Sequence, residues 1–167
     1  MKSKIVVVIG GSGLIGKSIV NTLKAEKYKV IFCPHVYDDI IISQEIAAGI
    51  CNASVWRFSD FAFDNCAESL GYYQDAEFVL AMRGHGQIIP IAFNTPVISL
   101  ENHPKHVGLM KKLGLGEWNI SVNENGFSDS LLTMIDRLIL NKPEYIEKLK
   151  KINKRLADDS KCAFDDI

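Results

Sequence analysis

Several features are missing from this sequence, and each absence narrows what the chain can be. No apolar run is long enough to cross a bilayer: the longest near the start, Ile5 to Ile9, is also too short for a signal-peptide core. Neither sign of charge dominates, with 19 Lys plus Arg against 20 Asp plus Glu, so no electrostatic footprint for nucleic acid or an anionic membrane is present. The four cysteines, Cys33, Cys51, Cys66 and Cys162, form no C-x-x-C pair. Thiols scattered in this way suit a reducing compartment and are expected to be buried packing residues, with no metal site indicated. Asn52-Ala53-Ser54 matches a glycosylation sequon, which reads as coincidence in the absence of a secretion signal. A cytoplasmic protein without a membrane span or a nucleic-acid partner is expected.

The 167 residues are 47% hydrophobic and 23% charged, which suits one globular domain. Strand and helix signals alternate along it. Lys4–Ile9 is a continuous β-branched run, the pattern of a strand buried on both faces. Further strands are predicted at Tyr28–Cys33, Ser54–Phe58, Ala76–Ala81, Pro96–Leu100 and Trp118–Val122. Helices are predicted at Leu14–Ala25, Ile40–Ile50, Phe61–Tyr72, His85–Phe93, Pro104–Leu113, Phe127–Leu140 and Pro143–Leu156. In the last of these, Ile146, Leu149, Ile152 and Leu156 form an apolar stripe for docking on the core, and Ser160–Ile167 is expected to fray. Such alternation implies right-handed βαβ units, hence a doubly wound, Rossmann-like open parallel sheet of five to six strands in a single α/β domain, with helices on both faces. Residues 1–29 form a glycine-rich βα unit, 30–140 the remaining units and 141–158 the last helix.

Gly10-Gly-Ser-Gly-Leu-Ile-Gly-Lys-Ser18 falls between the first strand and the first helix, where backbone N–H groups can surround a phosphate. Two motifs fit it. Gly10, Gly13 and Gly16 give G-x-x-G-x-x-G, which resembles the dinucleotide loop of extended short-chain dehydrogenases and epimerases, and would make NAD(P) the cofactor. Gly11 to Ser18 matches the P-loop pattern, in which Lys17 would hold phosphates and Ser18 a Mg²⁺ ion. Gly10, Gly11, Ser12, Gly13 and Gly16 are the candidate phosphate-binding residues in either case. The rest of the chain decides for neither. The strand after Val97 offers only Glu101 for metal organisation, the second strand is followed late by Asp38 and Asp39, and no Tyr-x-x-x-Lys pair exists for dehydrogenase chemistry. Equally, the glycines can serve close helix–strand packing with no ligand at all.

The other informative stretch is Ala76-Glu-Phe-Val-Leu-Ala-Met-Arg-Gly-His-Gly-Gln-Ile-Ile-Pro90, followed by Thr95-Pro-Val-Ile-Ser99. Met82-Arg83-Gly84-His85 and the strand after it resemble the C-terminal, GT-B-like domain of the polysaccharide pyruvyl transferase family. The likeness takes in Cys33-Pro34-His35, Asp38, Asp39, His103-Pro104-Lys105 and Leu113-Gly114, and runs from Val30 to about Leu156. The resemblance implies a phosphorylated donor, phosphoenolpyruvate or a nucleotide-sugar type, and a sugar acceptor. Arg83 would bind the donor's phosphate or carboxylate and His85 would act as general acid. His103, Lys105 and His35 would be further donor-binding residues. Family members carry an additional N-terminal domain, so a second domain or subunit would complete the cleft here.

An Arg and a His beyond a strand end can instead cap a helix or pair with carboxylates, and a domain acting only through assembly is the ligand-free alternative. Topology supplies a separate expectation. In a sheet of order 3-2-1-4-5, strands one and four are neighbours, and ligands bind between their C-terminal ends. The glycine loop and the Arg83–His85 segment should then face one another across one crevice.

Overall fold

Six strands, each hydrogen-bonded in parallel with its neighbours, form the sheet in this computed structural model, which describes residues 4–9, 28–34, 37–50, 52–56 and 66–165. The elements are β1 (Lys4–Ile9), β2 (Tyr28–Phe32), α1 (Tyr37–Ala48), β3 (Ala53–Val55), α2 (Cys66–Gln74), β4 (Phe78–Ala81), α3 (Gly84–Ala92), β5 (Val97–Glu101), α4 (Pro104–Lys112), a 3-10 turn (Gly116–Trp118), β6 (Asn119–Ser121), α5 (Phe127–Leu140) and α6 (Lys142–Asp165). The strand order is β3-β2-β1-β4-β5-β6, with the sixth strand continuing the expected arrangement outward from β5. The glycine loop lies outside the described residues.

The central strands are buried because their sequences leave nothing to hydrate. Val6, Val7, Phe78, Val79, Leu80, Val97, Ile98 and Leu100 are fully buried, as continuous β-branched and aromatic runs require when helices cover both faces. Register is tight: Val6 sits beside Val30 on one side and Phe78 on the other, and Ala81 beside Ser99. α3 packs on β4 and β5, and α4 packs on β5. Successive right-handed steps from β4 to β5 to β6 put these two helices on the same face, with their N-termini at the C-terminal edge of the sheet.

The last helix differs from its expected form in two ways. It continues to Asp165 rather than fraying from Ser160. Its buried stripe is Tyr145, Leu149 and Ile152, whereas Ile146 is only partly buried and Leu156 is 42% exposed. The stripe shifts because Tyr145 buries a whole ring: its hydroxyl donates to the Val97 carbonyl at 2.7 Å, and the ring stacks on Trp118 at 4.7 Å between centroids. Burial raises the Tyr145 pKa, so the phenol stays protonated and donates. Asn153 Nδ2 then donates to the Ile91 carbonyl at 2.7 Å and to Asn94 Oδ1 at 3.0 Å, fixing the far end of α3. That matters because the near end of α3 carries Arg83 and His85.

The cysteine expectation holds for Cys33, which is buried, and fails for Cys162, which is exposed near the end of α6. Its described neighbours from Ala157 to Lys161 are exposed as well. Among the described residues, no helix is long and apolar enough to cross a membrane.

Candidate active site

β4 ends at Ala81, and the chain turns through Met82 and Arg83 into α3. Arg83 is the residue capping α3 at its N-terminus, with extended backbone. A guanidinium has donors and no acceptor, so it cannot close the first N–H groups of the helix, and no side-chain cap is made. The first turn of α3 carries no acidic residue either. At Gly84, a Cβ would meet nothing within 4 Å among the described residues, so there is open space beside the first residue of the helix. Uncapped N–H groups, open space and an adjacent arginine together make a place where an anion is favoured.

Arg83 does not lie loose. Its Nη2 donates to both oxygens of Asp39 at 2.9 Å, and its Nε donates to Oδ2 at 3.2 Å. Asp39 sits in the first turn of α1, after β2, so the pair reaches from β4 over β1 to the other half of the sheet. The Asp39 side chain is 8% exposed and that of Arg83 42%. The contact occupies the Nε–Nη2 edge of the guanidinium. Among the described residues Nη1 has no hydrogen-bond partner, so the outer edge of the fork remains available for a ligand oxygen. Asp39 thus orients Arg83 rather than consuming it.

His85 is exposed in the first turn of α3, two residues from Arg83. On the neighbouring helix, His103 caps α4: its Nδ1 accepts from the Lys105 backbone N–H at 3.3 Å. Lys105 is exposed in the first turn of α4, which also has no acidic residue. Arg83, His85, His103 and Lys105 therefore share the C-terminal edge of β4 and β5. His35, Gly10, Gly11, Ser12, Gly13 and Gly16 lie outside the described residues.

Four further residues belong to this region and were not singled out as site residues from the sequence. Gln87 Nε2 donates to Ser99 Oγ at 2.6 Å, Ser99 Oγ donates to Asn119 Oδ1 at 2.7 Å, and Asn119 Nδ2 donates to Glu101 Oε2 at 2.9 Å. Gln87 and Ser99 are fully buried, and among the described residues Gln87 Oε1 has no hydrogen-bond partner. An orphaned acceptor of this kind costs about 1–3 kcal/mol. His106, in the first turn of α4 and buried, is the fifth. Its Nδ1 has no partner, and its pKa is lowered by burial and by the nearby charges of Lys105, His103 and Arg83, against the opposing pull of Glu101. The available signal was a polar residue inside a run otherwise buried on both faces, namely Ser99, and a histidine three residues on from the cap His103.

Elsewhere, a cavity of about 220 Å³ near Trp118 and Tyr145 lies at the opposite end of β6. Its charged groups pair with one another, with Arg137 and Lys148 both at 2.8 Å from Glu117, so it is a braced corner rather than a ligand site. Among the described residues no group of three or more His, Cys, Asp or Glu side chains is placed to hold a metal ion.

The fold is shared with GT-B-like glycosyltransferase domains. The glycotransferase of kitacinnamycin superposes with a TM-score of 0.63 at 16% identity, over 93% of this chain and 40% of that one. The C-terminal CMP-Kdo binding domain of WaaA from Acinetobacter baumannii gives 0.58 at 12% identity, over 90% and 89% of the two chains. Spinosyn rhamnosyltransferase SpnG, complexed with thymidine diphosphate, gives 0.57 at 10%, over 95% and 42%. At these identities the likeness is one of fold, and the chain spans about two-fifths of the length of the first and third of these proteins. No curated protein matches the sequence. The family model of the polysaccharide pyruvyl transferases matches residues 13–104, more than half of the chain, and the chain belongs to that family. The match opens at Gly13, inside the stretch likened above to epimerases, and closes at Pro104, so it contains Asp39, Arg83, His85, His103 and Glu101.

Proposed function

We propose that this chain is the donor-binding part of a sugar-modifying transferase, and that the crevice between the ends of β1, β4 and β5 takes a phosphorylated enolpyruvyl donor. The observation that carries this reading is the Arg83 guanidinium, fixed along one edge by Asp39 and, among the described residues, unbonded at Nη1, beside a helix N-terminus with no side-chain cap. A phosphate or carboxylate meets two donor types there at once: the Arg83 fork and the first N–H groups of α3. Lys105 adds charge from the next loop.

With phosphoenolpyruvate so held, His85 would give a proton to the donor's methylene carbon. Protonation leaves positive charge at the carbon bearing the phosphate ester. One acceptor hydroxyl adds there, losing its proton. Phosphate departs with the C–O bonding pair, and a second hydroxyl closes the ketal. Arg83 and the α3 N–H groups stabilise the leaving phosphate. A second domain or subunit would complete the acceptor side.

Parallel calorimetric titrations with phosphoenolpyruvate, NAD(H), NADP(H) and Mg-ATP test the reading. Phosphoenolpyruvate binding that disappears in Arg83→Ala and persists in Gly13→Val supports it. Dinucleotide or ATP binding alone, lost in Gly13→Val and kept in Arg83→Ala, would move the site to the glycine loop and overturn it.

A further inference from the structure

We propose that Glu101 is a sugar-hydroxyl-binding residue, and that Gln87, Ser99 and Asn119 are the positioning residues that aim it. The choice of ligand rests on the donor reading above; the relay itself does not. Three features of the geometry carry the assignment.

The first is direction. Gln87 donates to Ser99, Ser99 to Asn119 and Asn119 to Glu101, so each donor in the chain points toward the carboxylate. Aligned hydrogen bonds in a dry interior polarise one another, and their combined effect falls on the group at the end. The second is burial. Ser99 and Gln87 are fully buried, one in a central strand and one on the inner face of α3, where apolar residues would pack without leaving the orphaned Gln87 Oε1. A buried polar chain with an open end is not the arrangement that packing alone selects.

The third is what Glu101 does not do. Glu101 ends β5, and Arg83 follows the end of the neighbouring strand β4 by two residues. Neighbouring strands lie about 5 Å apart, well within reach of an ion pair. Yet Arg83 turns the other way to Asp39. Among the described residues Glu101 accepts from Asn119 at Oε2 and forms no ion pair, and it is only partly buried.

A carboxylate with one oxygen fixed and the other open is an acceptor-only group, the complement of a hydroxyl donor. Among the described residues it belongs to no group of three or more His, Cys, Asp or Glu side chains placed to hold a metal ion. A donor held at Arg83 would lie one strand away, so a hexose hydroxyl on Glu101 would be within a sugar ring's width of it.

The test is hexose binding by the purified chain, followed by saturation-transfer NMR titration. The probes are the methyl glycosides of galactose, glucose and mannose, each with and without phosphoenolpyruvate. Wild type should bind at least one of them, and Glu101→Gln should weaken that binding roughly tenfold or more while leaving phosphoenolpyruvate affinity unchanged. Ser99→Ala, which cannot touch the sugar, should weaken hexose binding by a smaller factor, again without changing phosphoenolpyruvate affinity. A merely structural role would move both ligands together. Should Glu101→Gln fail to fold, Glu101→Asp withdraws the carboxylate by one methylene and should show the same split. Hexose binding unchanged in the Glu101 variant, or absent from wild type under both conditions, overturns the proposal. Glu101-dependent hexose binding by a chain that does not bind phosphoenolpyruvate would uphold it and overturn the donor reading instead.

Discussion

Arg83 is bonded to Asp39 through Nη2 at 2.9 Å to each oxygen and Nε at 3.2 Å, across the intervening strand β1, although Glu101 ends the strand on the other side of β4. The two partners differ in exposure, 42% for the arginine side chain and 8% for the aspartate. Removing one is therefore not equivalent to removing the other. Arg83→Ala strands a buried carboxylate and should cost about 1–3 kcal/mol in urea unfolding. Asp39→Asn leaves an arginine that water can reach and should cost less than about 1 kcal/mol, while loosening the guanidinium and weakening phosphoenolpyruvate binding. Equal losses of stability would show that the pair is solvated on both sides.

Gly84 separates a ligand effect from a folding effect. Open space surrounds the position a Cβ would take, so Gly84→Val should fold with a melting temperature near that of wild type. The same side chain would stand in front of the α3 N–H groups and should reduce anion affinity by about tenfold, the cost of losing one charge-assisted hydrogen bond. Calorimetry and thermal melting on one preparation check both. Unaltered affinity would remove the α3 N-terminus from the site.

His106 predicts a pH dependence. Its folded pKa lies below the ordinary 6.5, because burial and the charges of Lys105, His103 and Arg83 disfavour the imidazolium. Between the folded pKa and 6.5 the unfolded chain binds a proton that the folded chain does not. Stability from this group is therefore full above pH 6.5 and falls as pH drops below it. Urea unfolding of wild type should show that loss as pH falls below 6.5, and His106→Gln should show a flatter slope. Identical slopes would mean that His106 takes up its proton as readily in the folded chain.

The two described thiols should behave oppositely. Burial pushes the Cys33 thiol up to about 11, despite its contact with the Tyr73 hydroxyl at 3.2 Å, so almost no thiolate forms at neutral pH. Cys162 is exposed on α6. A short iodoacetamide pulse followed by peptide mass mapping should label Cys162 readily and Cys33 only after denaturation. Comparable labelling of both in the native chain would contradict the packing of β2 against α2.

Much of the fold was legible because β1, β4 and β5 are short apolar runs rich in β-branched residues, bounded by turns, and such runs separated by helices have few topologies open to them. The Arg83–His85 segment was legible for a different reason, its motif. What stayed hidden has a common physical cause. The relay joins Gln87, Ser99, Asn119 and Glu101, residues 12, 20 and 18 apart in sequence, and no periodicity reports a side-chain bond over such separations. Asp39 was visible as an acid after the second strand, but its bond to Arg83 depends on β1 lying between β2 and β4. In α6 the apolar count favoured Ile146 over Tyr145, and the Tyr145 hydroxyl found the Val97 carbonyl, which only the folded sheet presents. Beyond Leu156 the run Asp158-Asp-Ser-Lys161 interrupts the apolar spacing, so the helix was read as ending early.

The central claim is that an anion binds at the C-terminal edge of β4 and β5. Backbone amide NMR of the ¹⁵N-labelled chain during titration with phosphoenolpyruvate tests it most directly. The account predicts the largest shifts at Gly84, His85 and Gly86, with smaller ones at Lys105 and His106. Shifts confined to the Gly10–Ser18 loop, or to the opposite end of the sheet around Trp118, would contradict it.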